Sequence, residues 1–189
     1  NVSTHTLLET RAKVEATESE LRVATDIQAS MLPSIFPAFP NRPEFDIYAS
    51  MDPAKEVGGD FYDFFMIDED HLALVIADVS GRGIPASLFM MSSKILINDH
   101  ALMGGTPAEI LGRVNKQVNA NNDANMFVTV WLGILEISSG KLTTASAGHE
   151  YPIININGRY ELLKDKHGLA IGAMPTAKYK NTEITLKKR

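Results

Sequence analysis

Residues 56–83 read "EVGGDFYDFFMIDEDHLALVIADVSGRG", and the fold turns on how this stretch pairs with itself. Residues 57–67 and 71–78 have the aromatic, β-branched and apolar content of strands, while Asp68, Glu69 and Asp70 between them are turn formers, which predicts a β-hairpin centred on Glu69. That register sets Ile67 opposite His71 and Asp60 opposite Asp78. Directly opposed side chains have Cβ atoms about 4.5–5.5 Å apart, and two like charges at that distance repel unless a proton or a cation lies between them. A divalent metal is the natural occupant, because hard cations take carboxylate oxygens at about 2.0–2.6 Å. A β-bulge at Gly58-Gly59 or Phe64-Phe65 would shift the register by one residue.

Strand alternation separates the two aspartates of "GGDFYDFF". Asp60 and Tyr62 point to one face, Phe61 and Asp63 to the other, so Asp63 is expected to be a cap or a surface charge rather than a partner of Asp60. Asp78 closes an apolar strand and shares its face with Leu72, Leu74 and Ile76, ahead of Gly81 and Gly83. The plain alternative is that Asp78 caps the turn by accepting from the amides of Ser80 or Gly81. Asp60 opposite favours the ligand reading.

Downstream, a helix is expected over residues 85–102, with the run Leu88 to Met91 most simply a buried face. A second helix starts at Pro107, where Thr106 and Glu109 form a capping box and Ile110, Leu111, Val114 and Val118 make one apolar side. Strands follow at 127–137, 141–147, 151–156 and 159–164, the last two joined by Asn157-Gly158, a type I′ hairpin signal. Upstream, a further strand is expected at 45–51. The result is an α+β fold, mainly antiparallel, with helices packed on sheet.

Residues 1–32 lack Gly and Pro. Val14, Leu21, Ala24, Gln28 and Met31 form a narrow helical seam, read either as a solvated linker helix whose last turns pack on the domain or as a short coiled coil joining two copies. Pro33, Pro37, Pro40 and Pro43 mark 33–44 as a connector, leaving 45–189 as the domain.

The chain has 189 residues, 44% hydrophobic and 22% charged, enough for one core. Its formal charge of -5 argues against a nucleic-acid or anionic-lipid surface, and its one basic cluster is the terminal Lys187-Lys188-Arg189. The absence of cysteine removes disulfides and thiolate chemistry and accords with a cytoplasmic setting. No run of about 20 apolar residues is present for membrane insertion, and a chain opening on Asn1 reads as a piece of a longer protein, whose upstream region has room for a membrane anchor. Two further features have competing readings. His149 in "SAGHEYP" is a candidate general acid or phosphate contact, or simply structural; "GRGIPAS" offers amides and Arg82 to a phosphate, or is an ordinary glycine turn into a helix. "GGDF" is superficially like the signature of diguanylate cyclases, but Phe61 replaces the second acid and no βαβ pattern leads into it.

Six motifs occur in one order from about Leu21 onward: "ELRVATDIQASMLP", "EVGGDFYDFF", "ALVIADVSGRGIPASLFM", "MFVTVWLGILE", "SAGHEYP" and "GLAIGAMPTAKY". Together they resemble the SpoIIE/RsbU-type serine phosphatases, the bacterial branch of the metal-dependent PPM phosphatases. The resemblance implies an αββα sandwich of two antiparallel sheets, preceded by a linker helix, with two Mn²⁺ or Mg²⁺ ions in a cleft at one edge of the paired sheets. It implies Asp78 as bridging ligand, Val79 as a carbonyl ligand, Asp60 as a ligand to one metal, and Gly81, Arg82 and His149 as phosphate or substrate contacts. The only catalytic group it implies beyond these is the metal-bound water, which attacks phosphoserine or phosphothreonine. The implied substrate is a phosphorylated STAS-type anti-sigma-factor antagonist in partner switching, under control of an upstream sensor domain and with dimerisation through the arm. Arg82 stands where the family often has Lys. The family pattern also continues into a "TDG" strand and a further acidic ligand beyond Arg189, so weak or no activity is expected of this segment alone. The alternative is a non-catalytic, phosphatase-like module that binds its STAS partner; a nucleotide-handling domain is a third candidate.

Overall fold

The computed structural model describes residues 2–53 and 57–187; Glu56 of the opening stretch and Lys188 and Arg189 of the basic cluster lie outside them. In chain order the elements are α1 (Val2–Ser30), β1 (Phe61–Met66), β2 (His71–Val79), α2 (Gly83–Leu102), α3 (Pro107–Asn119), β3 (Val128–Glu136), β4 (Lys141–Ala147), β5 (Ile153–Ile156), β6 (Arg159–Leu162) and β7 (Thr182–Thr185). Five strands form one antiparallel sheet in the order β1-β2-β3-β4-β7, and β5 pairs with β6 in a separate ribbon.

The first hairpin adopts the register expected from its turn. Phe61 pairs with Ala77 and Met66 with Leu72, and the Ile67 amide donates to the His71 carbonyl at 2.8 Å. No bulge intervenes, because Asp68 closes the turn itself, its Oδ1 accepting from the amides of Asp70 and His71 at 2.8 and 2.9 Å.

Between β2 and β3 the chain runs away along α2 and back along α3, which returns it to the end of the sheet it left. β3 therefore pairs antiparallel with β2, Val79 against Val128 and Asp78 against Thr129. The capping box at the start of α3 is present, with the Thr106 amide donating to Glu109 Oε2 at 2.8 Å and the Glu109 amide to Thr106 Oγ1 at 3.4 Å. The Thr106 amide first, and then the Thr106 hydroxyl, hold the Glu109 carboxyl below its ordinary range by hydrogen-bonding to it.

Helices α2 and α3 cover one face of the sheet. Phe61, Val75, Ala77, Val79, Val130, Leu132 and Ala145 meet Met90, Ile97, Ile110, Leu111 and Val114 there, all buried. Each large apolar side chain so buried contributes about 1.5–3 kcal/mol. Across β1 the other face carries the connector: the Phe36 and Phe39 rings lie 5.8 and 6.1 Å from that of Phe64, and the Tyr62 hydroxyl donates to the Pro33 carbonyl at 2.6 Å.

Several local features differ from what the sequence predicts. Residues 45–51 pair with no strand among the described residues, and the first hairpin strand begins at Phe61, with 57–60 irregular. Of the run from Leu88 to Met91, Met90 is buried but Leu88 is exposed, since neighbours on a helix point about 100° apart. Strand β7, short and alternately exposed, has no strong sequence signal. Asp63 is neither cap nor surface charge: its side chain is buried, and Lys94 Nζ from α2 donates to its Oδ2 at 2.7 Å. Alternation put Asp63 on the right face, but that face lies under a helix.

In α1 every residue before Leu21 whose side chain is described is exposed, and from Leu21 on the helix packs against the domain, with Gln28 buried. No helix among the described residues is long and apolar enough to cross a membrane.

Candidate metal centre

One end of the sheet collects the candidate site residues, because β1 starts, β2 ends, β3 starts and β4 ends there. Asp60 immediately precedes β1 and Asp78 is the penultimate residue of β2, so the two flank the last pair of the ladder, Phe61 with Ala77. Both are exposed, and their carboxyl groups lie within hydrogen-bonding reach of each other. Burial first, then the hydrogen bond and the charge of Asp78, push the Asp60 carboxyl up from 3.8 to about 6. The ion pairs of the described residues include neither carboxylate.

These groups line a cleft of about 1110 Å³. Asp60, Asp78, Val79, Gly81 and Arg82 all face it, so five of the six residues singled out from sequence come together. Gly59 seats the Asp60 segment on the sheet: a Cβ there would come 3.0 Å from Val79 Cβ, 3.2 Å from the Val79 carbonyl oxygen and 3.3 Å from Ala86 Cβ. Gly81 and Gly83 have φ of 85° and 70°, a left-handed conformation that turns the chain sharply from β2 into α2. Arg82 stands at the N-cap of α2, where its side chain makes no capping bond.

His149 is not among the cleft residues. It lies behind Thr129, which does line the cleft, and its Nδ1 is 2.9 Å from Thr129 Oγ1. The Thr129 hydroxyl is also 3.3 Å from the Asp78 carbonyl, to which it donates. Ser146 Oγ fixes the His149 backbone, accepting from its amide at 3.2 Å and donating to its carbonyl at 3.3 Å. Burial pulls the His149 imidazole below its ordinary value, against the opposing charges of Asp78 and Glu150.

Other residues lining the cleft were not singled out as site residues. Gln28 and Thr25 of the arm form one wall of the cleft, together with Phe36 and Tyr48 of the following segment. Gln28 had a signal, a polar residue on an otherwise apolar seam, but Thr129 is indistinguishable in sequence from any strand threonine.

The donor set suits a hard divalent cation: two carboxylates held face to face, beside a backbone carbonyl and open to solvent.

Comparison with solved structures places the fold among PP2C phosphatase domains. The SiaA-PP2C domain of Pseudomonas aeruginosa superposes with a TM-score of 0.70 at 24% identity, covering 93% of this chain and 70% of that one. The PP2C domain of SpoIIE from Bacillus subtilis gives 0.61 at 17% identity, over 69% of this chain and 39% of that one. The family model for Stage II sporulation protein E matches residues 68–189, and the chain belongs to that SpoIIE family. Among curated relatives, the phosphoserine phosphatase RsbU of Bacillus subtilis is 33% identical over 174 residues, which are 90% of this chain and 50% of that protein. Protein IcfG of Synechocystis is 31% identical over 204 residues, covering 92% of this chain and 31% of its own length. The chain thus spans half or less of the length of these two relatives.

Proposed function

We propose that the protein containing this chain is a divalent-cation-dependent phosphatase acting on phosphoserine or phosphothreonine in a protein substrate. The observation that carries this reading is the Asp60–Asp78 pair, two carboxylates held opposite one another at the mouth of a cleft, neither of them in an ion pair among the described residues. Support comes from the relative named phosphoserine phosphatase and from a structural neighbour, RsbX, whose structure contains magnesium.

Asp60, Asp78 and the Val79 carbonyl would hold the ions, with Asp78 shared between two of them. Two Mn²⁺ or Mg²⁺ ions, when bound, supply a water of lowered pKa and neutralise phosphoryl charge for in-line attack. A bound cation would compete with the proton that the raised Asp60 carboxyl takes up below about pH 6. Arg82 and the amides of Gly81 and Gly83, facing the same cleft, bind phosphoryl oxygens as donors. His149 acts from behind the wall, through Thr129.

The substrate we propose is a phosphorylated STAS-type anti-sigma-factor antagonist in the cytoplasm, with residues 1–32 as the arm linking the domain to an upstream sensor and to a second copy. Among the described residues no third His, Asp or Glu joins Asp60 and Asp78 in a metal-binding group. This favours a second reading, a non-catalytic module that binds the STAS partner.

Phosphate release from a phosphorylated STAS protein with Mn²⁺, using the full-length protein, separates the two. The enzyme reading expects release that Asp78→Ala abolishes; no release, or release unchanged in the variant, sinks it.

A further inference from the structure

The sheet ladder stops at Phe61–Ala77, one residue short of Asp60. Residues 57–60 belong to no strand, so the ladder does not hold Asp60 in place against the charge of Asp78. The restraint comes from the arm. Gln28 is the only buried residue among the described side chains of α1, and its amide grips the backbone of Gly58 on both sides. Its Nε2 donates to the Gly58 carbonyl at 2.8 Å, and its Oε1 accepts from the Gly58 amide at 2.9 Å. The side chain thus satisfies Gly58 as a neighbouring strand would, where no strand is present. Nε2 also lies 3.7 Å from Met90 Sδ in α2, the helix that follows the Gly81–Arg82 turn. On the far side, Gly59 rests on Val79 and Ala86 without room for a Cβ. The segment carrying Asp60 is therefore clamped between the arm and the end of β2.

We propose that Gln28 is a positioning residue for the metal centre: by holding Gly58 it keeps the Asp60 carboxylate opposite Asp78, and so sets the affinity of the pair for a divalent cation. This rests on the cation reading of Asp60 and Asp78. Gln28 itself touches neither carboxylate nor ligand. Its contribution is geometric, since a carboxylate displaced from its partner no longer presents oxygens to the same ion, and groups that orient metal ligands are typically worth about tenfold to a hundredfold in affinity.

The test is a Mn²⁺ titration of the ¹⁵N-labelled chain, read by paramagnetic broadening of the Ser80 and Gly81 amides, with amide exchange at Gly58 measured alongside. Gln28→Met keeps the length and apolar contact of the side chain and removes both hydrogen bonds; Gln28→Glu keeps the acceptor and loses the donor. Gln28→Met is expected to raise the Mn²⁺ concentration needed for half-broadening about tenfold and to speed exchange at Gly58, with Gln28→Glu intermediate. A purely structural role would lower the melting temperature and leave the affinity of the folded protein unchanged. Should Gln28→Met fail to fold, Gln28→Glu decides by the same criterion. Asp78→Ala is the control. If it abolishes broadening while the Gln28 variants titrate like the parent, the positioning role is overturned and the cation reading stands. If Asp78→Ala itself titrates like the parent, both fall.

Discussion

Two carboxylates of β1 and its approach, Asp60 and Asp63, lie three residues apart and meet opposite fates. Asp63 points under α2, where Lys94 neutralises it at 2.7 Å and the Phe64 amide donates to its other oxygen at 3.0 Å. Asp60 points the other way, to a second carboxylate and open water. The first pair is complete and serves to pin a helix to the sheet. The second is incomplete, two carboxylates facing each other, and an incomplete set of donors is what a ligand can finish. Side-chain chemistry is the same in both cases; the difference is the partner that the fold supplies.

The comparison breaks most visibly at the buried pair. Asp63→Ala leaves the Lys94 ammonium buried without a counter-charge and is expected to cost about 3 kcal/mol in urea unfolding. The double replacement Asp63→Leu with Lys94→Met is expected to recover most of that loss, because neither charge then remains uncompensated. A double variant no more stable than the single one would show that the pair holds α2 by geometry that apolar contacts do not replace.

A smaller effect is expected at the hinge between the two faces. Gly59→Ala forces a methyl group against Val79 and Ala86 and should destabilise by about 1–2 kcal/mol, with shifts in the Asp60 and Val79 resonances. Unchanged spectra would mean that the Asp60 segment is not seated on β2 as described.

The smallest effect is the pH dependence of the exposed pair. The Asp60 pKa stands above its ordinary value, at about 6 against 3.8, so the folded chain binds this proton more tightly than the unfolded one. Its stabilising contribution is full below pH 3.8 and is lost as the pH rises through about 6. Screening at this largely exposed site limits the contribution to the order of 1 kcal/mol or less. Asp78→Asn removes the opposing charge, so the difference in urea midpoint between parent and variant should widen from pH 4 to pH 7 in metal-free buffer. A difference that stays constant with pH would show that the carboxylates are not coupled.

Much of this arrangement was legible in the residues. The turn at Asp68 to Asp70 set the hairpin register as far as Phe61 and Ala77, and that register aims Asp60 and Asp78, the next residues out, at each other. The capping box of α3 and the Asn157-Gly158 turn, both with local hydrogen-bond or backbone requirements, also appear where expected, the latter with φ of 53° and 84°. The failures share a cause. Residues 45–51 have strand composition, but a strand needs a neighbour, and composition does not say whether one is present. Strand β7 is too short and too polar to announce itself, and it exists because β4 offers an edge to pair with. Lys94 could not be matched to Asp63, nor Gln28 to Gly58, because each pair is separated by about thirty residues with no pattern linking them.

By itself, then, the sequence determined what depends on neighbours along the chain: strand faces, turn register, helix starts, and hence which two carboxylates oppose each other. Only the tertiary structure decided which face lies under a helix, which backbone segment the arm grips, and that His149 reaches the cleft through Thr129 rather than lining it. The physical reason is that alternation and hydrogen-bond geometry operate over a few residues, whereas burial and the pairing of distant polar groups are settled only when whole elements pack.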